Sequence, residues 1–534
     1  MKPSDLDLPF PDWRKYQEEI ILRAGTETKD IILIEGPTGA GKSGIAVGIS
    51  RFLQASKSAI VCSTIQLQIQ YLKDHPSLKT VKGRANFPCL VQDTNADEGP
   101  CTVAGPRNCK RHDECPYYNQ VAEGISAPIS IHNYSYWLLS ANNLGRFSGL
   151  DALFLDEAHL LEDNLRKFVQ VEVSQWSARR LLHSCPVTSD YHAWKRWASD
   201  VIDDLGDEAS ASYHFDRLTP SEIQRILNVR SLFKKAATIT NSVDEDWLID
   251  EMGKTWVLRP TWVDKFGQSC IFDHVSKQGG KVILMSATIL DAELFCQGLG
   301  VNPDKVAFYR MPSTFPKERR PIIYRPIVKV NHSMSATARR SLVRAVDKVL
   351  SDHPNEKGLI HTANYDLARF LVAESKYKDR LVTHSTKDRA DVLDYFKSSS
   401  QPLVLVSPSF TTGVDLPYDL CRFNIIMKLP FPNKADRQVE RRMKLGPDGL
   451  PNIKGQKWYM WTTACSLVQS TGRGMRSADD RCTNYILDAN FTWFRNAVNQ
   501  MLPTWWKEAL REESDTDFIV SQLRDAALAR KGGY

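Results

Sequence analysis

Short apolar runs recur along the chain, each followed by a polar or glycine-rich turn and then by sequence of helical character. The runs are IILI (31–34), AIVC (59–62), ALFL (152–155), VILM (282–285), LIH (359–361), LVLV (403–406), NIIM (424–427) and YIL (485–487). Runs this short, with β-branched residues, read as buried parallel strands, although periodicity alone leaves helix open. Strand followed by helix, repeated, predicts α/β domains, whose functional residues sit just past the C-terminal ends of the strands. Two stretches break the rhythm. Residues 84–127 are rich in Cys, Gly and Pro and show little periodicity. Residues 165–255 are rich in Leu, Trp and charge and read as mostly helical. Trp176, Trp194, Trp197, Trp247, Trp256 and Trp262 read as the core of that helical unit. Both stretches look like insertions into the first α/β unit. The tail from about 503 reads as helix ending in a frayed KGGY. No repeat of solenoid period and no low-complexity block is present.

Composition narrows the class without naming it. At ~150 residues per domain, 534 residues predict three to four domains. Such a chain buries real cores without disulfide staples. Lys plus Arg is 69 and Asp plus Glu 63, a net charge of +6. That allows a polyanion partner only through a local basic patch. No apolar run approaches the ~18 residues of a membrane helix. The N-terminal MKPSDLDLPFPDW has no apolar segment of the secretory kind. A cytoplasmic protein without membrane contact is expected. Eleven cysteines, an odd number, argue against a disulfide framework.

The chemistry begins at Gly36-Pro37-Thr38-Gly39-Ala40-Gly41-Lys42-Ser43, a full phosphate-loop pattern directly after IILIE. Its glycines let backbone N–H groups close around phosphates, and the helix that follows adds its positive end. Lys42 is expected on the β/γ-phosphates of ATP, and the Ser43 hydroxyl on Mg²⁺. Asp156-Glu157-Ala158-His159 follows ALFL. Asp156 is placed for the second Mg²⁺ contact and Glu157 to activate the attacking water. Gln17, in Trp13-Arg14-Lys15-Tyr16-Gln17, has an amide able to read an adenine edge, with a solvated amphipathic helix as the alternative.

A phosphate loop alone belongs to many enzymes, and later motifs narrow the choice. Ser286-Ala287-Thr288 follows VILM. Gln469-Ser470-Thr471-Gly472-Arg473-Gly474-Met475-Arg476 carries two arginines three apart, as on one helical face. Arg473 and Arg476, with Gln469, are expected to reach the γ-phosphate across a cleft between two α/β domains. The order of these motifs resembles a superfamily 2 helicase, and more narrowly the XPD/DinG family of iron–sulfur DNA helicases. The resemblance covers about residues 14–490. It includes Ser63-Thr64-Ile65-Gln66-Leu67, Lys82-Gly83-Arg84-Ala85-Asn86-Phe87-Pro88-Cys89, Cys115-Pro116-Tyr117-Tyr118 and His132-Asn133-Tyr134. It continues through Pro312-Ser313-Thr314-Phe315, Gly413-Val414-Asp415 and Leu429-Pro430-Phe431-Pro432. Gly413 and Asp415 then join Gly36, Thr38, Gly39, Gly41, Lys42, Ser43 and Gln17 as nucleotide-binding candidates. Three positions depart from the family pattern: Thr412 stands before Gly413, and Asp480-Arg481-Cys482 and Asp488-Ala489-Asn490 replace Asp-x-Gly and Asp-x-Arg.

The resemblance implies two RecA-like parallel-sheet domains. The first would comprise 1–83, 128–164 and 256–300, interrupted by a cysteine lobe at 84–127 and a helical arch at 165–255. The second would be 301–534. Cys89, Cys101, Cys109 and Cys115 follow the spacing C-x11-C-x7-C-x5-C, without the tight knuckle usual for zinc. Such spacing suits an iron–sulfur cluster, with zinc or free thiols as alternatives. The resemblance implies [4Fe–4S]. Thr64, Lys82, Arg84, Asn133, Tyr134 and Tyr136 are candidates for DNA contact, with Arg107, Lys110 and Arg111 on the cysteine lobe. The implied function is ATP-dependent, 5′-to-3′ unwinding of duplex from single-stranded or forked DNA by a monomer. Two alternatives are a nucleic-acid translocase with little unwinding and a nucleotide-switched, non-catalytic DNA-binding subunit.

Overall fold

The computed structural model describes residues 1–213, 218–275, 279–408, 416–445, 453–476 and 479–513. Its first half is organised by β1 (Ile31–Glu35), β2 (Ser58–Cys62), β3 (Lys79–Thr80), β4 (Ile129–Asn133) and β5 (Ala152–Asp156). An insert follows with β6 (Val171–Ser174), β7 (Trp247–Met252) and β8 (Thr255–Pro260). The chain then returns through β9 (Lys281–Ser286) and β10 (Val306–Arg310). The main sheet has seven strands in the order β10-β1-β9-β5-β2-β4-β3, all parallel. Helices cover both faces, so β2, β5 and β9 are buried throughout, as their unbroken apolar runs require. The register sets Glu35 opposite both Ser286 and Arg310, and Asp156 opposite Met285. The motif residues therefore gather along one edge of the sheet.

The second half repeats the plan. Its strands are β11 (Ile322–Val328), β12 (Gly358–His361), β13 (Leu381–Thr383), β14 (Val404–Ser407), β15 (Phe423–Ile426), β16 (Thr483–Asp488) and β17 (Leu510–Glu512). They form a second seven-stranded parallel sheet, ordered β13-β14-β12-β15-β16-β11-β17. The helix Ile453–Thr471 lies between the two sheets. Trp458, Trp461, Leu467 and Val468 enter the same buried cluster as Leu33, Leu155 and Leu284 of the first sheet.

Each of the eight apolar runs lies in or overlaps a strand. Two domain boundaries need correction, and one expectation needs an addition. The insert at 165–255 is mostly helical, but its long helices, Tyr191–Ser210 and Pro220–Ser242, pack on an antiparallel sheet ordered β6-β8-β7 that the pattern did not announce. A boundary at 255 would cut the β7–β8 hairpin, in which Trp247 pairs with Pro260 and Met252 with Thr255. The first domain also runs past 300, because β10 pairs with β1. The tail contributes a short helix, Thr504–Ala509, and then β17 on the second sheet, while KGGY lies outside the described residues.

Of the six tryptophans, Trp194, Trp197, Trp247 and Trp256 form the insert core. Trp176 is instead 61% exposed, with the Arg180 guanidinium over its ring. Trp262 leaves the insert and donates its indole N–H to Leu445 O at 3.0 Å. The second long helix starts where the sequence dictates: Thr219 and Glu222 cap each other's backbone N–H, and Pro220 takes the first turn.

Candidate active site

The phosphate loop leaves β1 at Glu35 and enters the helix Lys42–Phe52. Gly39 and Gly41 hold φ of 81° and 74°, a conformation that suits glycine. There is no room for a side chain either. A Cβ on Gly41 would meet Gln17 Nε2 at 2.3 Å, and one on Gly39 would meet the Phe315 ring at 2.2 Å. The segment before β1 braces the loop. Arg14 donates to Gly39 O at 2.9 Å, and Gln17 Nε2 to Gly41 O at 3.1 Å and Ala40 O at 3.3 Å. Gln17 Oε1 accepts from Arg14 N at 2.8 Å. The Gln17 amide thus braces the loop backbone while also lining the cavity beside it. Gly36 N–H donates to Ser286 O at 2.9 Å, which fastens the loop to the end of β9.

Beside the loop is a cavity of about 480 Å³, lined among others by Thr38, Lys42, Ser43, Asp156, Glu157 and Arg476. Its size suits a nucleotide. Asp156 ends β5 and is locked at both oxygens. Tyr71 donates to Oδ2 at 2.9 Å, and Glu157 N–H donates to Oδ1 at 2.8 Å. Burial pushes the Asp156 carboxyl above the usual carboxylate range, against the pull of Lys42. Glu157 sits at φ 53°, a strained conformation for a side chain with a Cβ and one that recurs at functional sites. Burial would raise its pKa, but Lys42, His159, Arg473 and Arg476 together outweigh it and hold Glu157 ionised. Lys42 Nζ lies 3.8 Å from Glu157 Oε1. An ionised carboxylate beside a lysine that phosphate can claim is suited to take a proton from water.

The second sheet closes the site. Gln469 Nε2 donates to Thr288 Oγ1 at 2.8 Å and lies 3.4 Å from the His159 ring nitrogens. His159 Nδ1 is 3.0 Å from Ser286 Oγ and 3.3 Å from Glu157 Oε2. A chain of contacts through His159 and Thr288 thus joins Gln469 to Glu157 and the 286–288 loop. Trp461 adds an indole N–H to Ile289 O at 2.8 Å. Arg473 and Arg476 do not share a helical face, since the helix ends at Thr471 and both follow in a glycine-broken turn. Arg476 lines the cavity all the same.

Asp480, which the motif comparison flags as a departure, is a buried anchor for this turn. It accepts from Arg476 N at 3.1 Å and Tyr418 N at 3.3 Å, and pairs with Arg422 at 2.8 Å. Its signal in the sequence is only an acid after a glycine-rich motif. Gly413 and Asp415 lie outside the described residues.

The nucleic-acid candidates divide. Thr64 caps the helix Ile65–Asp74 by accepting from Leu67 N, and Asn133 caps Tyr134–Leu144 by accepting from Tyr136 N. Lys82 is half-buried, and its backbone pairs with the Gln120 side chain. Tyr134 and Tyr136 are core residues, 1% and 7% exposed, and Tyr134 donates to Asp156 O at 3.0 Å. Neither offers a face for stacking. Arg84 lies over the Tyr117 and Tyr118 rings and donates to Tyr118 Oη at 2.7 Å. Arg111 is paired with Glu114. A groove of about 570 Å³ runs between the helix Tyr134–Leu144 and the insert, with Lys167, Lys234 and Lys235 along it. Periodicity did not reveal it, because Lys167 and the adjacent pair Lys234 and Lys235 come together only in the folded chain.

Cys101, Cys109 and Cys115 sit at the ends of short helices, Cys89 follows the isolated Pro88–Asn95 bridge, and all four are free thiols. Cys101 is within electrostatic reach of Cys89 and Cys109. Among the described residues, no group of three or more His, Cys, Asp or Glu side chains is positioned to hold a metal. The donor chemistry, four thiols in a loop-rich lobe, still suits an iron–sulfur centre.

A family model described as a helicase C-terminal domain matches residues 348–509. Structures titled XPD helicase and S. tokodaii Xpd4 each cover 94% of this chain and the whole of their own. Their TM-scores are 0.61 and 0.58, at 14% and 15% identity. The ATP-dependent DNA helicase CHL1 of Saccharomyces cerevisiae is 27% identical over 160 residues, which is 27% of this chain and 18% of that protein. The ATP-dependent DNA helicase YoaA of Escherichia coli is 24% identical over 298 residues, 54% of this chain and 45% of that one. The chain carries a helicase C-terminal domain and is similar to ATP-dependent DNA helicases of the CHL1 and YoaA kind, with the fold of the XPD structures. Both parallel sheets are RecA-like domains, as in those XPD structures. A probable ATP-dependent helicase of Methanocaldococcus jannaschii is similar along 90% of this chain and 92% of its own length, at 20% identity. The matches to the first two relatives, both CHL1-type helicases, span only 18% and 22% of those proteins. No helix among the described residues is long and apolar enough to cross a membrane.

Proposed function

We propose that this chain is an ATP-dependent DNA helicase that moves on single-stranded DNA and opens forked duplex. The observation that carries the reading is the cavity in which Lys42, Asp156 and Glu157 of the first RecA-like domain meet Arg476 of the second. Lys42 binds phosphate, Asp156 and Ser43 hold Mg²⁺, and Glu157 takes the proton of the attacking water. Arg473 and Arg476 offset charge on the phosphoryl group. Gln469, through Thr288 and His159, links closure of the domains to Glu157. Mg²⁺ supplies charge neutralisation at the phosphates when bound. The names of the CHL1 and YoaA relatives support DNA as the substrate. The lysine-lined groove beside the insert supports a path for a backbone gripped by charge. The 5′-to-3′ direction is the family's.

Cys89, Cys101, Cys109 and Cys115 hold a [4Fe–4S] cluster in this reading. The cluster supplies a structural core for the lobe, which docks on the insert through Val103 against Ile223 and Ile226 and through Arg230 to Val103 O at 3.0 Å. Strand displacement on a fluorescent forked duplex, with ATP and Mg²⁺, tests the function. Displacement by the wild type and none by Lys42→Ala is expected. ATP hydrolysis stimulated by single-stranded DNA without displacement would point to a non-unwinding translocase. Iron content and a broad absorbance near ~400 nm, in protein purified without oxygen, test the cluster.

A further inference from the structure

Two residues that no motif names touch both side chains assigned to Mg²⁺. The helix Ile65–Asp74 carries Tyr71 and Asp74 three positions apart, and thus on one face. Tyr71 is fully buried and donates to Asp156 Oδ2 at 2.9 Å. Asp74 lines the nucleotide cavity, and its Oδ2 accepts from Ser43 Oγ at 3.2 Å. A hydroxyl has one proton and two lone pairs. With its proton directed to Asp74, Ser43 Oγ keeps both lone pairs for a cation. With one bond from Tyr71 and one from Glu157 N–H, the Asp156 carboxylate has a fixed orientation and an acceptor site left on each oxygen.

We propose that Tyr71 and Asp74 are positioning residues for the divalent cation of the nucleotide site, orienting Asp156 and Ser43 respectively from a single helix face. The proposal rests on the nucleotide–metal reading above. The helix begins at Thr64, a candidate for nucleic-acid contact, so one rigid element of ten residues joins that position to both metal-facing side chains. Outer partners of this kind are worth about 10–100-fold in metal affinity.

The test is a Mg²⁺ titration of fluorescent ADP binding, read without turnover, together with ADP affinity in EDTA. Asp74→Ala is expected to raise the Mg²⁺ midpoint about tenfold or more, with affinity in EDTA unchanged. Asp74→Asn, which keeps an acceptor, should restore part of the loss. Tyr71→Phe should shift the midpoint in the same direction. Should Tyr71→Phe fail to fold, Asp74→Ala, at the half-buried cavity wall, decides alone. A folded Asp74→Ala with a wild-type midpoint overturns the proposal, as does equal weakening with and without Mg²⁺. Wild-type protein whose ADP binding ignores Mg²⁺ would overturn the nucleotide–metal reading itself.

Discussion

The nucleotide cleft and the cysteine lobe are built on opposite principles. In the cleft, the chain itself supplies partners for the motif residues: Arg14 and Gln17 under the loop, Tyr71 behind Asp156, His159 beside Glu157 and Gln469 beside His159. In the lobe, short elements and irregular chain carry four free thiols. The lobe meets the insert through a small apolar cluster and one arginine. The difference teaches where each region gets its order. The cleft is arranged by backbone register and hydrogen bonds, so its side chains are in place before any ligand arrives. The lobe depends, in the proposed function, on a bound cluster, and should fail separately from the cleft.

That separation can be broken or sharpened in four ways, beginning with the largest effect. Lys42→Ala should abolish nucleotide binding, read by fluorescent ATP, while leaving iron content untouched. Loss of iron in that variant would join the two regions. Cys109→Ser should lose most strand displacement while ATP hydrolysis stays within about twofold, since distant sites act independently. Parallel loss of both activities would contradict the comparison. Arg442→Met should destabilise the whole chain by about 3–5 kcal/mol in urea, because it leaves Glu162 buried without its partner. Arg442 pairs with Glu162 at 2.6 Å while lying over the Trp262 and Trp458 rings, a junction of first domain, insert and second domain.

The smallest effect is a pH dependence. Burial pushes His132 and His361 down to about 3, and Arg473 adds to the effect on His361. Below their ordinary pKa near ~6.5 the unfolded chain binds the protons and the folded chain does not. Their contribution is complete above that pH and is lost as pH falls toward 3. The melting temperature should therefore drop between pH 7 and 5. His132→Gln with His361→Gln should flatten the drop; an unchanged slope would remove these two residues from the account.

Much of this arrangement was legible in the sequence. The strands announced themselves because parallel strands buried on both faces are unbroken apolar runs. The phosphate loop and the Asp156-Glu157 step lie at strand ends, where local pattern and tertiary position coincide. The insert sheet was missed because β7, WLIDEM, loses its apolar run at Asp250 and Glu251 and reads as helix, and only its register with β8 reveals a hairpin. The pairing of β10 with β1 was missed because it joins residues 275 positions apart, as between Ile31 and Val306. Tyr134 looked like a stacking ring and is a core residue, since a tyrosine near a motif carries no label of its depth. Tyr71 and Asp74 gave no signal at all, because their roles come from what they touch.

The central claim is that ATP is hydrolysed in this cleft by Glu157 and that nucleic acid drives the reaction. Steady-state ATP hydrolysis with and without single-stranded DNA, wild type beside Glu157→Gln, measures it most directly. The account predicts stimulation by DNA in the wild type. In Glu157→Gln it predicts a loss of about 10²–10⁴-fold with ATP binding intact. Sustained turnover by Glu157→Gln, or wild-type hydrolysis indifferent to DNA, would contradict it.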